Sequence, residues 1–259
     1  MVAISFEFLL FLLLLFCASS LNAVVSARII QLVEEDTSTF GGDDLRCDGW
    51  RLSVETNNAG SWSVVPSECA DFVGDYMMGD HYLVDSEIVS MDSLSFAQTV
   101  KIAGDGMDAW VFDIDETLLS NLAYYQLQGF GSERFNETSW DAWAELAEAT
   151  ALPASFKLYN KIKQLGFAII LLTGRDENQR NMTERNLLNE NYRGWTKLIL
   201  RGNEDAGKSA TLYKSQKRSA LVHEGYRIHG SSGDQWSDLL GFAVAQRSFK
   251  LPNPMYHIN

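Results

Sequence analysis

Apolar and polar positions divide the 259-residue chain into three textures. Residues 6–16, FEFLLFLLLLF, are an almost unbroken apolar run that gives way to CASSLNAVVSA. A run this short followed by small residues is the pattern of a secretory signal peptide, residues 1–27, cut after Ala27 or Ala23. It carries no Lys or Arg before its core, leaving the initiator amine as its positive charge. Residues 28–104 mix Trp, Tyr and Gly with acidic groups and have helical pieces at Cys69–Met78 and Ser86–Lys101, which predicts a mainly helical accessory region. Residues 105–259 instead alternate short continuous apolar runs with amphipathic stretches. The runs are Ala109–Ile114, Phe167–Thr173, Lys197–Leu200, Tyr226–His229 and Gly241–Ala245, with helices expected at Ala154–Leu165, Asn178–Glu190 and Ser215–Glu224. Strands that are apolar on both faces and separated by helices belong to a covered parallel sheet. The expected fold is therefore α/β, a doubly wound, Rossmann-like domain.

Between the first two strands lies an insertion, about 121–150, rich in aromatic residues: Tyr124, Tyr125, Phe130, Phe135, Trp140 and Trp143. A plain crossover needs only a helix, so the extra length reads as a small lid over the strand ends. Trp140 and Trp143, three apart, fit the packed face of a helix. The tail Phe249–His257 is expected to be extended, because Pro252 and Pro254 resist a helix.

Composition narrows the partners. With 46% hydrophobic residues the chain can bury a substantial core without a staple, and a net charge of −13 disfavours an extended polyanion such as a nucleic acid. A small anionic substrate remains compatible if a metal or a few basic groups reverse the field locally. Cys17 leaves with the leader, so Cys47 and Cys69 remain as an even pair in an oxidising compartment, where a disulfide is expected. Asn136-Glu-Thr138 and Asn181-Met-Thr183 fit the N-glycosylation pattern, the first better than the second, which falls in an expected helix. After leader cleavage no further run is long enough for stable membrane association.

Ligands of open parallel sheets bind beyond the carboxyl ends of the strands, and three polar clusters fall there: Asp113-Ile-Asp115-Glu-Thr117, Thr173-Gly-Arg175, and Gly233-Asp234-Gln-Trp-Ser-Asp238. Asp113 and Asp115 alternate along the expected strand and so share a face. Buried like charges repel and need compensation, which a hard divalent cation such as Mg²⁺ supplies, with Asp234 as a further carboxylate. Taken singly, Thr117 and Thr173 also fit capping or turn roles and Gly174 a turn glycine. Lys214 lies at the expected start of the helix preceding the third cluster's strand; Lys208 and Lys217 are competitors for the same role. The four histidines show no metal-ligand spacing.

The order DIDET, LLTGR, lysine, GDQWSD resembles the four motifs of the haloacid dehalogenase superfamily in its aspartate-nucleophile phosphatase branch. More narrowly, Trp50-Arg-Leu-Ser-Val-Glu-Thr-Asn-Asn58, VFDIDETLLSN, KLILRG, GDQWSDLLG and SFKLPNPMY resemble plant class B acid phosphatases and vegetative storage proteins, over nearly all of the mature chain. The resemblance implies Asp113 as the nucleophile that becomes an aspartyl phosphate, and Asp115 as the acid and then base. It implies Mg²⁺ on the Asp113 carboxylate, the Asp115 carbonyl and the Asp234 carboxylate. Thr173 and Gly174 N–H would hold phosphate oxygens, with Lys214 balancing charge. Asp238 either orients the metal shell or is structural, and Arg175 either touches substrate or forms a structural ion pair. Tyr124 and Tyr125 either stack on an aryl or nucleotide leaving group or form lid core. The expected function is an Mg-dependent acid phosphatase acting on a small phosphate monoester; a storage protein of low activity is the alternative, since some vegetative storage proteins lack the nucleophilic aspartate. Cell wall and vacuole both fit the secretory route, and monomer and homodimer both stay open.

Overall fold

The computed structural model describes residues 42–258, so the leader and the first residues of the accessory region lie outside it. From Arg46 onward the chain packs as one compact unit. Helix α1 (Gly42–Glu55) is followed by a 3₁₀ turn at Ser67–Cys69, then α2 (Ala70–Met78) and α3 (Asp80–Ala97). The helix expected at Ser86–Lys101 thus starts and ends earlier, Gln98 N–H donating to Leu94 O and Thr99 N–H to Phe96 O just past its end. Cys47 and Cys69 form a disulfide that joins α1 to the 3₁₀ turn. Closing a loop of 22 residues in this way stabilises the fold by about 3 kcal/mol in the chain-entropy account.

Strand β1 (Asp108–Phe112) is the centre of a five-stranded sheet completed by β4 (Ala168–Asp176), β5 (Lys197–Arg201), β6 (Arg227–Gly233) and β7 (Arg247–Lys250), ordered β5-β4-β1-β6-β7 with every pair parallel. All five residues of β1 are buried, because alternate side chains enter opposite layers. Trp110 and Phe112 join Tyr159, Ile162, Ile169 and Leu171 on one side, while Ala109 and Val111 join Ile170, Leu172, Tyr213 and Leu221 on the other. The first layer holds α3 packed on α6 (Pro153–Gln164), the second α8 (Ala210–His223). Gly230 of β6 makes room for the Trp110 ring, which a Cβ there would meet at 2.4 Å. Helix α7 (Arg180–Asn189) links β4 to β5.

Three expectations shift. Gly241–Ala245 is no strand: the carbonyls of Leu240, Phe242 and Ala243 accept from the buried Arg218 guanidinium instead of a neighbouring strand, and the last strand among the described residues is β7, which runs into the start of the expected tail. Helix α8 begins at Ala210 and not Ser215, because Ser209 caps it by accepting from Leu212 N–H at 3.2 Å; Lys214 is therefore in its second turn. Strand β1 stops at Phe112, so Asp113 and Asp115 sit in the turn beyond it, where Glu116 takes a left-handed φ of 50°.

The insertion after β1 is pinned at both ends by an antiparallel ribbon, β2 (Leu119–Ser120) against β3 (Thr150–Ala151), and carries α4 (Leu122–Leu127) and α5 (Glu137–Leu146). Its Tyr124 and Tyr125 share an apolar cluster with Trp50, Val73, Tyr76, Leu251 and Met255, so cap, accessory helices and C-terminal tail have one common core. The tail, residues 251–258, is irregular and largely buried. Trp50 Nε1 donates to Pro254 O at 2.9 Å and Lys250 pairs with Glu55 at 2.8 Å, tying α1 to it. No helix among the described residues is long and apolar enough to cross a membrane.

Candidate active site

The carboxyl ends of β1, β4 and β6 meet below the cap in a cleft of about 270 Å³. Asp113, Asp115, Gly174, Arg175, Lys214, Asp234 and Gln235 form its inner lining, and Phe135, Trp140, Tyr256 and Ile258 are apolar groups around it. Strand order reverses direction around β1, which makes this the crevice where an α/β sheet presents its ligand.

Asp113 is buried beside Lys214, whose Nζ donates to Oδ1 at 2.6 Å; the same ammonium also donates to Asp238. Among the described residues no hydrogen bond engages Asp113 Oδ2. Carboxylate oxygens of Asp113, Asp234 and Asp238 lie within 4.8 Å of one another. Burial pushes the Asp113 carboxyl well above the usual range against the pull of Lys214, and the Asp238 and Asp234 charges add to that push. Burial and then Asp238 likewise push Asp234 up to about 6. Burial alone would lower Lys214, yet Asp113 and Asp238 outweigh it and keep the amine an ammonium. Ionised together, three carboxylates against one ammonium would leave two negative charges in a buried pocket, the deficit that one divalent cation fills with all-oxygen ligands. The residues present therefore fit a hard divalent metal.

The second carboxylate is held differently. Arg175, whose side chain is 1% exposed, clasps Asp115 with Nη2 to Oδ1 at 2.7 Å and Nε to Oδ2 at 3.0 Å, and Asn121 Nδ2 donates to Oδ1 at 2.9 Å. Burial alone would raise this carboxyl; the Arg175 charge and the hydrogen bonds of Arg175 and Asn121 more than reverse it and hold Asp115 low. Arg175 Nη1 also donates to Thr183 Oγ1 at 3.2 Å. The Asn181 sequon thus has its threonine buried and engaged, whereas Asn136 and Thr138 are exposed. Asn136 caps α5, its Oδ1 accepting from Ser139 N–H.

Of the residues singled out in the sequence, Asp113, Asp115, Gly174, Arg175, Lys214 and Asp234 line the cleft together. Thr173 is fully buried beneath it, its Oγ1 accepting from Arg175 N–H at 3.1 Å. Asp238 stands behind Lys214 and also accepts from Gln235 N–H. Gly233 is why it can: a Cβ there would meet the Asp238 side chain at 2.4 Å. Lys217 and Lys208 are not brought in; both pair with Asp205 at 2.7 Å. Tyr124 and Tyr125 do not line the cleft but pack against each other and Trp140, within the cap core.

Four contributors escape sequence reasoning. Asn253 Nδ2 donates to Asp234 Oδ2 at 2.8 Å, and Glu116 is fully buried, accepting from Tyr256 OH at 2.7 Å and Asn121 N–H at 2.6 Å. Asn121 and Tyr256 are the others. Asn253 and Tyr256 stand in SFKLPNPMY and Glu116 and Asn121 in VFDIDETLLSN, both stretches already singled out; only the fold shows that those two stretches touch.

Parallel strands, a cap after the first, and carboxylates with a lysine at the strand ends define an α/β enzyme of the haloacid dehalogenase type. Residues 36–259 match the family described as HAD superfamily, subfamily IIIB (acid phosphatase), and the chain belongs to it. It is 48% identical to acid phosphatase 1 of Solanum lycopersicum over 255 residues, covering 98% of each chain. It is 42% identical to the stem 28 kDa glycoprotein of Glycine max, covering 83% of this chain and 85% of the relative. With vegetative storage protein 1 of Arabidopsis thaliana the identity is 34%, over 95% and 97%. Among solved structures, a class C acid phosphatase from Bacillus anthracis shares the fold, with a TM-score of 0.56 and 22% identity over 74% of this chain and 86% of that one.

Proposed function

We propose that the chain is a magnesium-dependent acid phosphatase of the secretory pathway that hydrolyses small phosphate monoesters through an aspartyl phosphate on Asp113. The observation that carries this reading is Asp113 itself: a buried carboxylate on the cleft floor with one oxygen held by Lys214 and the other outside any described hydrogen bond. The Asp113 and Asp234 carboxylates, with the Asp115 carbonyl, would hold Mg²⁺, and Asn253 and Gln235 orient Asp234 for it. When bound, the ion offsets phosphate charge and orients the ester for in-line attack. Lys214 balances negative charge on Asp113 and the incoming phosphoryl group, while Thr173 and Gly174 N–H supply donors to its oxygens. Asp115 protonates the departing alcohol, then takes a proton from the water that cleaves the acyl phosphate; Arg175 fixes it in place for both. An acidic optimum follows from the demand that Asp115 carry a proton in the first step.

The secretory route is supported by the Cys47–Cys69 disulfide and the apolar leader sequence, and an N-glycan belongs on Asn136, where both the asparagine and Thr138 are exposed. The second reading, a storage protein with incidental activity, draws on the 34% identity to a vegetative storage protein. Hydrolysis of para-nitrophenyl phosphate across a pH series, with Mg²⁺ and with chelator, separates the two. Metal-dependent turnover that is lost in Asp113→Asn supports the enzyme; negligible turnover by folded, Mg²⁺-supplied protein favours storage.

A further inference from the structure

Asn121, where the cap begins, touches both the Asp115 carboxyl and the cap helix. Asn121, the first residue of the insertion, is fully buried, and its side chain meets Asp115 Oδ1 at 2.9 Å, Glu116 Oε2 at 3.2 Å and Trp143 Nε1 at 2.9 Å. An indole N–H can only donate, so the atom facing Trp143 is the amide oxygen and the atom facing the two carboxyl groups is the amide nitrogen. Trp143 lies in α5, the helix that also brings Trp140 to the cleft. Glu116 is held in turn by Tyr256 OH from the tail and by Asn121 N–H. Flipping the amide would set its oxygen against two carboxyl oxygens and its NH₂ against a donor, so each partner enforces the same orientation.

We infer that Asn121 is a positioning residue for Asp115, and that Trp143 sets its amide orientation, so that the cap helix aims the acid/base carboxyl. The inference rests on the proposed acid/base role of Asp115. Arg175 grips Asp115 from the β4 side and Asn121 from the cap side; with Asn121 gone, the carboxyl keeps its charge partner but loses one of the two directions that define where its oxygens stand. Misplacing a proton donor slows the step that needs the proton and leaves ester binding alone.

The test is a comparison of leaving groups. For an alkyl ester such as 2-glycerophosphate the departing alkoxide needs a proton, whereas para-nitrophenolate leaves without one. kcat/KM reports the steps up to formation of the phosphoenzyme, so Asn121→Ala is expected to lower it about tenfold for the alkyl ester and by less than about twofold for the aryl ester. Trp143→Phe, which keeps a ring and removes only the donor, gives the same pattern at about threefold, and it carries the test should Asn121→Ala not fold. Equal losses on both esters, or no loss on either, would overturn the assignment. Asp115→Asn in parallel keeps the two ideas apart: if it shows no greater loss on the alkyl ester, the acid role itself fails, whereas selectivity in Asp115→Asn without it in the Asn121 and Trp143 variants refutes only the positioning.

Discussion

Strand β1 begins on one buried aspartate, Asp108, and runs into another, Asp113, in the turn just past its last residue, and the two ends are built on opposite plans. At the amino end, Asp108 accepts from Arg227 Nε at 2.8 Å, His229 Nε2 at 2.8 Å and Ala103 N–H at 2.6 Å, while Arg227 reaches on to Asp105. Both carboxylate oxygens have donors, and the Arg227 hydrogen bond, against the upward push of burial, holds the Asp108 carboxyl well below the usual range. At the carboxyl end, Asp113 shares a single ammonium with Asp238 and stands close to Asp234, and burial pushes it up. The same residue type, five positions apart at opposite ends of one strand, is satisfied in one place and short of positive charge in the other. A satisfied buried carboxylate is a fastening; an unsatisfied cluster is held by the rest of the fold against its own repulsion, and such strain belongs to a site that expects a ligand.

Breaking the unsatisfied end should cost function, and the largest effect falls on Asp113→Asn: turnover drops by about four orders of magnitude or more while the thermal transition is retained, checked by steady-state kinetics and melting curves. Lys214→Ala is expected to lower kcat by a hundredfold to a thousandfold, about 3–4 kcal/mol of lost charge stabilisation. Mg²⁺ is expected to stabilise the wild type by about 2.7 kcal/mol at a concentration a hundred times its Kd, read as a shift in Tm without substrate, and Asp234→Asn to abolish that shift. Breaking the satisfied end should cost stability alone: Asp108→Asn is expected to destabilise by about 2 kcal/mol in denaturant titration with kcat within about twofold of wild type.

The smallest effect sharpens the contrast through pH. Because Asp108 has a folded pKa below its unfolded one, its contribution is complete above about pH 4 and is lost as pH falls below that toward the folded value. The stability gap between wild type and Asp108→Asn should therefore be constant from pH 7 to about pH 5 and narrow steadily below pH 4. A gap that widens on acidification would contradict the ion-pair account.

Strands β1 and β4 were legible in the sequence because each holds a continuous apolar run, the signature of burial on both faces, and β5 and β6 through shorter apolar stretches; all four of the runs at Ala109, Phe167, Lys197 and Tyr226 overlap strands. β7 was not, since Arg247-Ser-Phe-Lys250 places a single buried residue, Phe249, among polar ones, as edge strands do. The Gly241–Ala245 run looked like a strand because periodicity is blind to Arg218, which takes that segment's carbonyls from 25 residues away. Chemistry at strand ends was legible as charge out of place. The residues that tune it, Asn121, Glu116, Asn253 and Tyr256, were not: an asparagine or tyrosine is unremarkable in sequence until the chain fold sets it against a carboxylate, and Asn253 reaches Asp234 across 19 positions. Tyr124 and Tyr125 were conspicuous for the converse reason, since an exposed aromatic in a lid and a buried one in its core read alike.

The claim on which the account turns is that Asp113 carries the phosphoryl group. Acid-quenching the enzyme during turnover of para-nitrophenyl phosphate with Mg²⁺, then mapping phosphoryl by peptide mass spectrometry, tests it directly. The account predicts one phosphoryl group on the peptide containing Asp113, absent when chelator replaces Mg²⁺ and absent in Asp113→Asn. Phosphoryl found on another residue, or undiminished turnover by Asp113→Asn, would contradict it.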